Sequence, residues 1–256
     1  MVSTRMAFAQ SVRSGRPIPG AVATLGVSDR VAFLRKTYAL LGAALLGFAG
    51  LTGAVMLAAP ETSYRFSAWA LSGNWTWLAV MLLFMGVGTI AQKLATSDVS
   101  HGRQLMGLVL SVVAWSILTQ PILWVCFTRF HAGDAMRIVA ESVVITLTIF
   151  VGLTLSVFIS KKDFSFMRGA LMIGSFAAIG IILASMLFGF QLGALFAGAM
   201  IVLMAGYILY QTSLVMSQFA PGAHVAAALM LFSTVATLFW YVLMLMMDLN
   251  GGGRRR

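Results

Sequence analysis

Charge is scarce in this chain. Only 9% of its 256 residues are Asp, Glu, Lys or Arg, against about 25% in an ordinary soluble domain. Seven acids in the whole sequence leave little material for acid–base chemistry. The signatures G-x-x-x-x-G-K-[ST], H-E-x-x-H and G-x-S-x-G are all missing. The chain therefore reads as non-enzymatic, with no cofactor. One cysteine, Cys126, rules out an intramolecular disulfide. The three histidines, His101, His131 and His224, fall in loops or at helix ends without the spacing of a metal cluster. Residues Met1 to Arg30 lack the apolar stretch of a secretory leader and carry Pro17, Pro19 and several Ser, Gly and Arg, so a flexible tail is expected there.

What the chain has in excess is apolar length. Hydrophobic residues make up 60% of it, gathered into seven runs of about 20 residues, the length a helix needs to cross a bilayer. In lipid the backbone must satisfy its own hydrogen bonds, so the runs are helices. The expected fold class is an all-α integral membrane protein, a seven-helix transmembrane bundle. The runs are read as Leu34 to Ala58, closed by Pro60 and Glu61; a second with a diffuse start that ends near Gln92 and Lys93; Gln104 to Phe127, with a kink at Gln120-Pro121; Ile138 to Ser160; Gly169 to Phe188; Leu192 to Met216; and Ala223 to Met247. Trp69, Trp75 and Trp77 read as an interfacial belt. The organisation is a basic tail over 1–32, a membrane domain over 33–249 and a short basic tail over 250–256. Small residues at helical spacing, Ala43 and Gly47 on the first run and Ala194, Gly198 and Gly206 on the sixth, suit close helix packing.

The formal charge is +10. With the amino terminus in the cytoplasm, eleven basic residues lie inside (Arg5, Arg13, Arg16, Arg30, Arg35, Lys36, Lys93, Arg103, Lys161, Lys162 and Arg168) and three outside (Arg65, Arg129 and Arg137). Seven full crossings place the terminal triplet Arg254-Arg255-Arg256 outside. The basic residues suit anionic lipid headgroups. No basic stripe interleaved with aromatics marks a nucleic-acid surface. With no organelle signal in view, the expected location is the cell's inner (plasma) membrane, with the amino terminus cytoplasmic.

Polar groups inside apolar runs are costly and few. Glu141 is the one acid inside a span, about a turn from the outer end of the fourth run; it suits a cation site, or equally a carboxylate favoured by the helix dipole. Gln211 in the sixth run offers both acceptor and donors. Ser233, Thr234 and Thr237 cluster midway along the seventh. For these hydroxyls and for Gln211 the plainer reading is interhelical or intrahelical hydrogen bonding.

Several segments carry a resemblance. Phe33-Leu34-Arg35-Lys36-Thr37-Tyr38 opens the first helix. The stretch from Thr146 to Thr154 follows T-x-x-x-F-x-x-L-T, and Lys161-Lys162-Asp163-Phe164-Ser165 follows K-x-D-F-S. Gly206-Tyr207-Ile208-Leu209-Tyr210-Gln211-Thr212 is similar to G-[FY]-I-x-Y-D-T, and Ala228 to Thr234 falls where A-x-x-L-Y-x-D is common. Together these resemble the transmembrane Bax inhibitor motif family, over nearly all of Phe33 to Met247. The resemblance implies a seven-helix bundle with the last helix central, surrounded by the other six. It implies links to calcium leak and to control of cell death. It also implies a proton-sharing aspartate pair on the sixth and seventh helices. Here those aspartates align with Gln211 and Thr234, neither of which titrates, so a pH gate of that kind does not carry over. A neutral Gln–Thr hydrogen bond could latch the helices instead. Two roles stay open: a cation leak, calcium included, with altered or lost pH control and Glu141 as the remaining cation attractor; or a non-conducting regulatory scaffold that binds other membrane proteins. A wet cavity reaching the contact of the sixth and seventh helices would favour permeation.

Overall fold

The computed structural model describes residue 24 and residues 26–97, 100–160 and 163–251. Both basic termini and Lys161-Lys162 lie outside them. Eight α-helices are present among the described residues: α1 (Val27–Ala58), α2 (Pro60–Ala70), α3 (Asn74–Ala95), α4 (His101–Arg129), α5 (Ala132–Ser160), α6 (Arg168–Phe188), α7 (Ala194–Ser217) and α8 (His224–Gly251). All but α2 are long and apolar enough to cross a membrane. The chain is a multi-pass membrane protein and a seven-helix bundle.

Helix ends extend past the apolar runs because polar residues at a bilayer surface still favour helix over a solvated loop. α1 starts at Val27, so residues 27–32, expected in the tail, are helical. α5 starts at Ala132, a turn and a half before Ile138. α4 is one helix with the buried Pro121 inside it. Gly189 closes α6 in the left-handed conformation, φ 73°, with its N–H on the carbonyl of Ser185, as a helix C-terminus favours.

The short α2 is the element absent from the sequence reading. Ala59, at φ −137°, breaks α1, and Pro60 opens a new helix at a position where its missing N–H costs nothing. The helix buries Ser63, Ser67 and Ala70 and exposes Glu61, Arg65 and Trp69. Of the expected tryptophan belt, Trp69 and Trp75 are exposed, whereas Trp77 stacks on Trp240 of α8 at 5.9 Å.

α8 is the central helix. It packs against α1, α3, α4, α5 and α7, and Leu231, Phe232, Leu238 and Leu243 are fully buried on it. Phe48 of α1 meets Phe232 and Phe239 edge-on at 6.0 and 6.2 Å. The ring has five members rather than six. α6 stands outside it against α7, with Ile173, Phe176, Leu187 and Phe188 left to lipid. The glycine stripes differ from expectation in the same physical way. Gly206 is where α6 closes on α7, since a Cβ there would strike Leu171. Gly198 faces open space. The tightest approach of backbone to backbone falls at Gly107 of α4, against Ala91 and Ala95 in α3.

Two contacts define the faces of the bundle. His101 and His224, the first residues of α4 and α8, lie ring to ring at 5.3 Å. At the opposite ends of the same helices, Arg129 pairs with Asp248 at 3.7 Å. α8 therefore runs the full length of the bundle, and its end at Gly251 lies on the face opposite the start of α1.

Candidate functional site

Three consecutive residues near the end of α7, Gln211, Thr212 and Ser213, each address a different element. Gln211 Oε1 accepts a hydrogen bond from Thr234 Oγ1 of α8 at 2.8 Å. Both residues are more than nine-tenths buried. Thr212, fully buried, turns toward α1 and α5. Its hydroxyl lies beside that of Tyr38, which also neighbours Thr154, and none of the three closes a hydrogen bond. Ser213 Oγ donates to Asp163 Oδ1 at 3.2 Å and accepts from the backbone N–H of Phe164 at the same distance. Asp163 also takes the backbone N–H of Ser165 at 2.8 Å and its hydroxyl at 2.9 Å. The K-x-D-F-S loop is thereby capped and tied to α7, a role that its sequence alone does not disclose.

The Gln211–Thr234 pair forms part of the floor of a cleft of about 370 Å³. The cleft lies between α3 and α7, which do not pack closely on each other; α4 and α8 form its back. Ser111, Trp115 and Ser233 line it, with Thr89 and Gln92 toward the face where α1 begins. No charged side chain lines it. Thr234 Oγ1 also lies 3.3 Å from the carbonyl of Met230, while the Gln211 amide nitrogen donates to no described protein group. Thr237 is placed apart from the cleft; its hydroxyl returns to the carbonyl of Ser233 at 2.8 Å, the bond expected of a threonine inside a helix.

Glu141 is not brought to this site. It sits ten residues into α5, partly exposed, with Arg137 at 3.9 Å. It belongs to the face opposite the start of α1, on which each basic residue has an acid beside it: Arg65 with Glu61 at 2.7 Å, Arg129 with Asp248, and Arg137 with both Asp134 and Glu141. Among the described residues that face holds three basic and four acidic side chains, against six basic (Arg30, Arg35, Lys36, Lys93, Arg103 and Arg168) and two acidic (Asp29 and Asp163) on the other.

A second polar cluster closes the half of the bundle next to the face opposite the start of α1. Gln120, only 1% exposed, accepts from Ser63 Oγ at 2.8 Å and donates to the carbonyls of Ser116 and Thr52 at 3.0 and 3.3 Å. Ser63 Oγ in turn accepts from Trp124 Nε1 at 2.8 Å, and Ser67 Oγ donates to the Ser63 carbonyl at 2.8 Å. This network fastens α2 to α4 and α1. Gln120, read from the sequence only as part of a kink with Pro121, is thus an interhelical anchor. A buried glutamine before an in-helix proline was its signal in the sequence. Among the described residues no group of three metal-binding side chains occurs.

With this geometry in view, the chain was compared with known proteins. The profile of the family described as Inhibitor of apoptosis-promoting Bax1 matches residues 30–251. The chain belongs to the Bax inhibitor family. It is 31% identical over 232 residues to Bax inhibitor 1 of Schizosaccharomyces pombe, covering 88% of this chain and 79% of that protein. It is 25% identical over 225 residues to an uncharacterized protein of Neisseria meningitidis serogroup A, covering 85% and 91%. A protein of serogroup B matches to the same extent. No solved structure matches the chain. The matched residues take in all seven spans, Gln211 and Thr234 included.

Proposed function

We propose that this Bax inhibitor family member passes ions across the membrane through a path whose inner half is the α3–α7 cleft and whose gate is the uncharged Gln211–Thr234 bond. The observation that carries this reading is the cleft's reach to that buried pair. A calcium leak is the form the family likeness brings. The cleft offers calcium hydroxyl and amide oxygens but none of the carboxylates a calcium site draws its attraction from. A slow, weakly selective leak follows, and with no titratable pair at the gate it does not switch with protons. Glu141, on the outer face, attracts cations to the far mouth rather than binding them in the path. The excess of basic side chains on the face where α1 begins supports a cytoplasmic amino terminus, in the inner (plasma) membrane, with lipids as partners and no reaction catalysed.

Calcium flux into proteoliposomes tests this. Wild-type protein should exceed protein-free vesicles, Gln211→Leu should change the rate, and Glu141→Gln should lower it modestly. If wild type and Glu141→Gln both match empty vesicles, permeation is ruled out. A sharp pH midpoint abolished by Gln211→Leu would contradict the neutral gate. A non-conducting scaffold that binds other membrane proteins is the second reading, favoured by the missing carboxylates. It predicts no flux together with a co-purifying membrane partner lost on deleting residues 1–30.

A further inference from the structure

The α3–α7 cleft opens sideways as well as inward. Met85, Thr89 and Gln92 of α3 line it yet are exposed, whereas Ser111, Gln211 and Thr234 on its floor are more than nine-tenths buried. In a bilayer the exposed rim faces acyl chains. The opening leads from the hydrocarbon of the leaflet next to the α1 start straight to buried polar groups.

The floor is short of hydrogen-bond partners in one sense only. Thr234 occupies the acceptor end of the Gln211 amide, which leaves the amide N–H groups toward the cleft. Burying a donor without an acceptor costs about 1–3 kcal/mol, so a ligand that brings an oxygen acceptor is favoured. A charged head is disfavoured, because no opposite charge lines the cleft to offset its desolvation. Polarity is graded along the depth. Gln92 lies three residues before the end of α3 and Gln211 six before the end of α7, about 5 and 9 Å along their axes. Deeper in, the lining turns to Phe84, Ala114 and Trp115, whereas Leu229 and Met230 of α8 lie nearer the face where α1 begins than Ser233 and Thr234. Phe84 and Ala114 also border a second cavity of about 200 Å³, in the outer half between α2, α3 and α4, whose lining is entirely apolar. The Phe84 ring, edge-on to Trp115 at 4.9 Å, stands between the two.

We infer that the cleft is a binding site for a single-chain lipid with an uncharged, oxygen-bearing head, such as a monoacylglycerol. The head carbonyl or hydroxyl meets the Gln211 amide and the Ser111 hydroxyl. The chain runs past Met85 and Phe84 toward the apolar cavity. The inference rests on the cleft being the inner half of the ion path, and it adds a regulator to that path: the lipid would sit on the gate.

The test uses the full-length protein in phosphatidylcholine nanodiscs, with 1-oleoylglycerol carrying a photoreactive diazirine in its chain as the probe. Crosslinks should concentrate on α3 and α4 around Phe84 and Ala114, and unlabelled 1-oleoylglycerol should compete. Gln211→Leu should weaken labelling about three- to tenfold, the range for one interhelical-type hydrogen bond in lipid. Ser111→Ala should weaken it less, and Thr237→Val, outside the cleft, not at all. Oleic acid bearing the same label should bind more weakly at a pH where it is ionised. Labelling spread evenly over the lipid-facing surface of α6, or unchanged in both Gln211→Leu and Ser111→Ala, would overturn the site. Binding is read without flux, so a protein that conducts nothing yet passes this test loses the permeation reading and keeps the lipid site.

Discussion

Gln120→Leu is the substitution that should weaken this fold most for its size. The side chain is fully enclosed and makes three hydrogen bonds, to Ser63, Ser116 and Thr52. In membranes such bonds average about 0.6 kcal/mol, so the direct loss is about 2 kcal/mol. Leucine also leaves the Ser63 hydroxyl proton without its acceptor, a group then unsatisfied at a cost of about 1–3 kcal/mol. Rotation of that hydroxyl toward its own helix recovers part of this, as does the extra apolar burial of leucine. A net cost of about 2–3 kcal/mol remains. Thr234→Val removes one bond and leaves the Gln211 carbonyl open to the cleft, so about 0.6 kcal/mol is expected. Reversible unfolding in mixed micelles, followed by far-ultraviolet circular dichroism, compares the two. A Ser63→Ala, Gln120→Leu double-mutant cycle should give a coupling well above zero. If Thr234→Val proves as costly as Gln120→Leu, the division into a firm outer anchor and a weak inner latch is wrong.

Three further outcomes follow from the packing and the gate. Gly107→Ala forces a methyl onto the backbone of α3 and should cost about 1–3 kcal/mol, whereas Gly42→Ala, with nothing within 4 Å of its new methyl, should stabilise by up to about 1 kcal/mol through helix propensity; thermal unfolding of the two variants decides. The double variant Gln211→Asp, Thr234→Asp places two carboxylates where the present bond spans 2.8 Å; one must carry a proton near neutral pH, so its leak should rise or fall across a pH midpoint while the wild-type rate stays flat. Asp163→Ala removes the cap on Ser165 and the tie to Ser213, and should cost about 1 kcal/mol and speed amide exchange at residues 164–168, with Asp163→Asn retaining most of the protection.

The spans were legible because lipid imposes a single rule on the backbone, and seven apolar runs obey it. What the sequence hid depends on relations between helices. α2 carries Ser63 and Ser67 on one face and Glu61 and Arg65 on another, a pattern too short for a span, and it acquires stability only once Gln120 and Trp124 are there to receive it. Gln120 itself reads as half of a kink until Ser63 comes within 2.8 Å. Gln211 and Thr234 could be paired in advance because the family resemblance aligned them; composition and periodicity alone would not have done so. Glu141 stood out as the lone acid in an apolar run, yet Arg137 one turn away gives it the ordinary partner of a helix surface. His101 and His224 lie far apart in sequence and adjacent in space because α4 and α8 begin on the same face. Except for Arg137 and Glu141, four residues apart on α5, none of these pairings has a local signature, since each needs the register of one helix against another.

On the proposed ion path, an uncharged hydrogen bond at the gate responds to different signals than a carboxylate pair would. Two carboxylates in a low-dielectric contact cannot ionise together cheaply, so protons decide their state and the conformation follows pH. A Gln–Thr bond of about 0.6 kcal/mol shifts an opening equilibrium by only about threefold, and its strength does not depend on pH. Any sharp control must then come from something that binds the open and closed forms unequally. The cleft supplies the place for it: a donor-rich floor in contact with the latch and a rim open to the bilayer. If the proposed path conducts, membrane composition is therefore the signal expected to gate it. A flux that responds to monoacylglycerol content and ignores pH would unite the two observations, and a flux that responds to neither would leave the Gln211–Thr234 bond as a fixed structural contact.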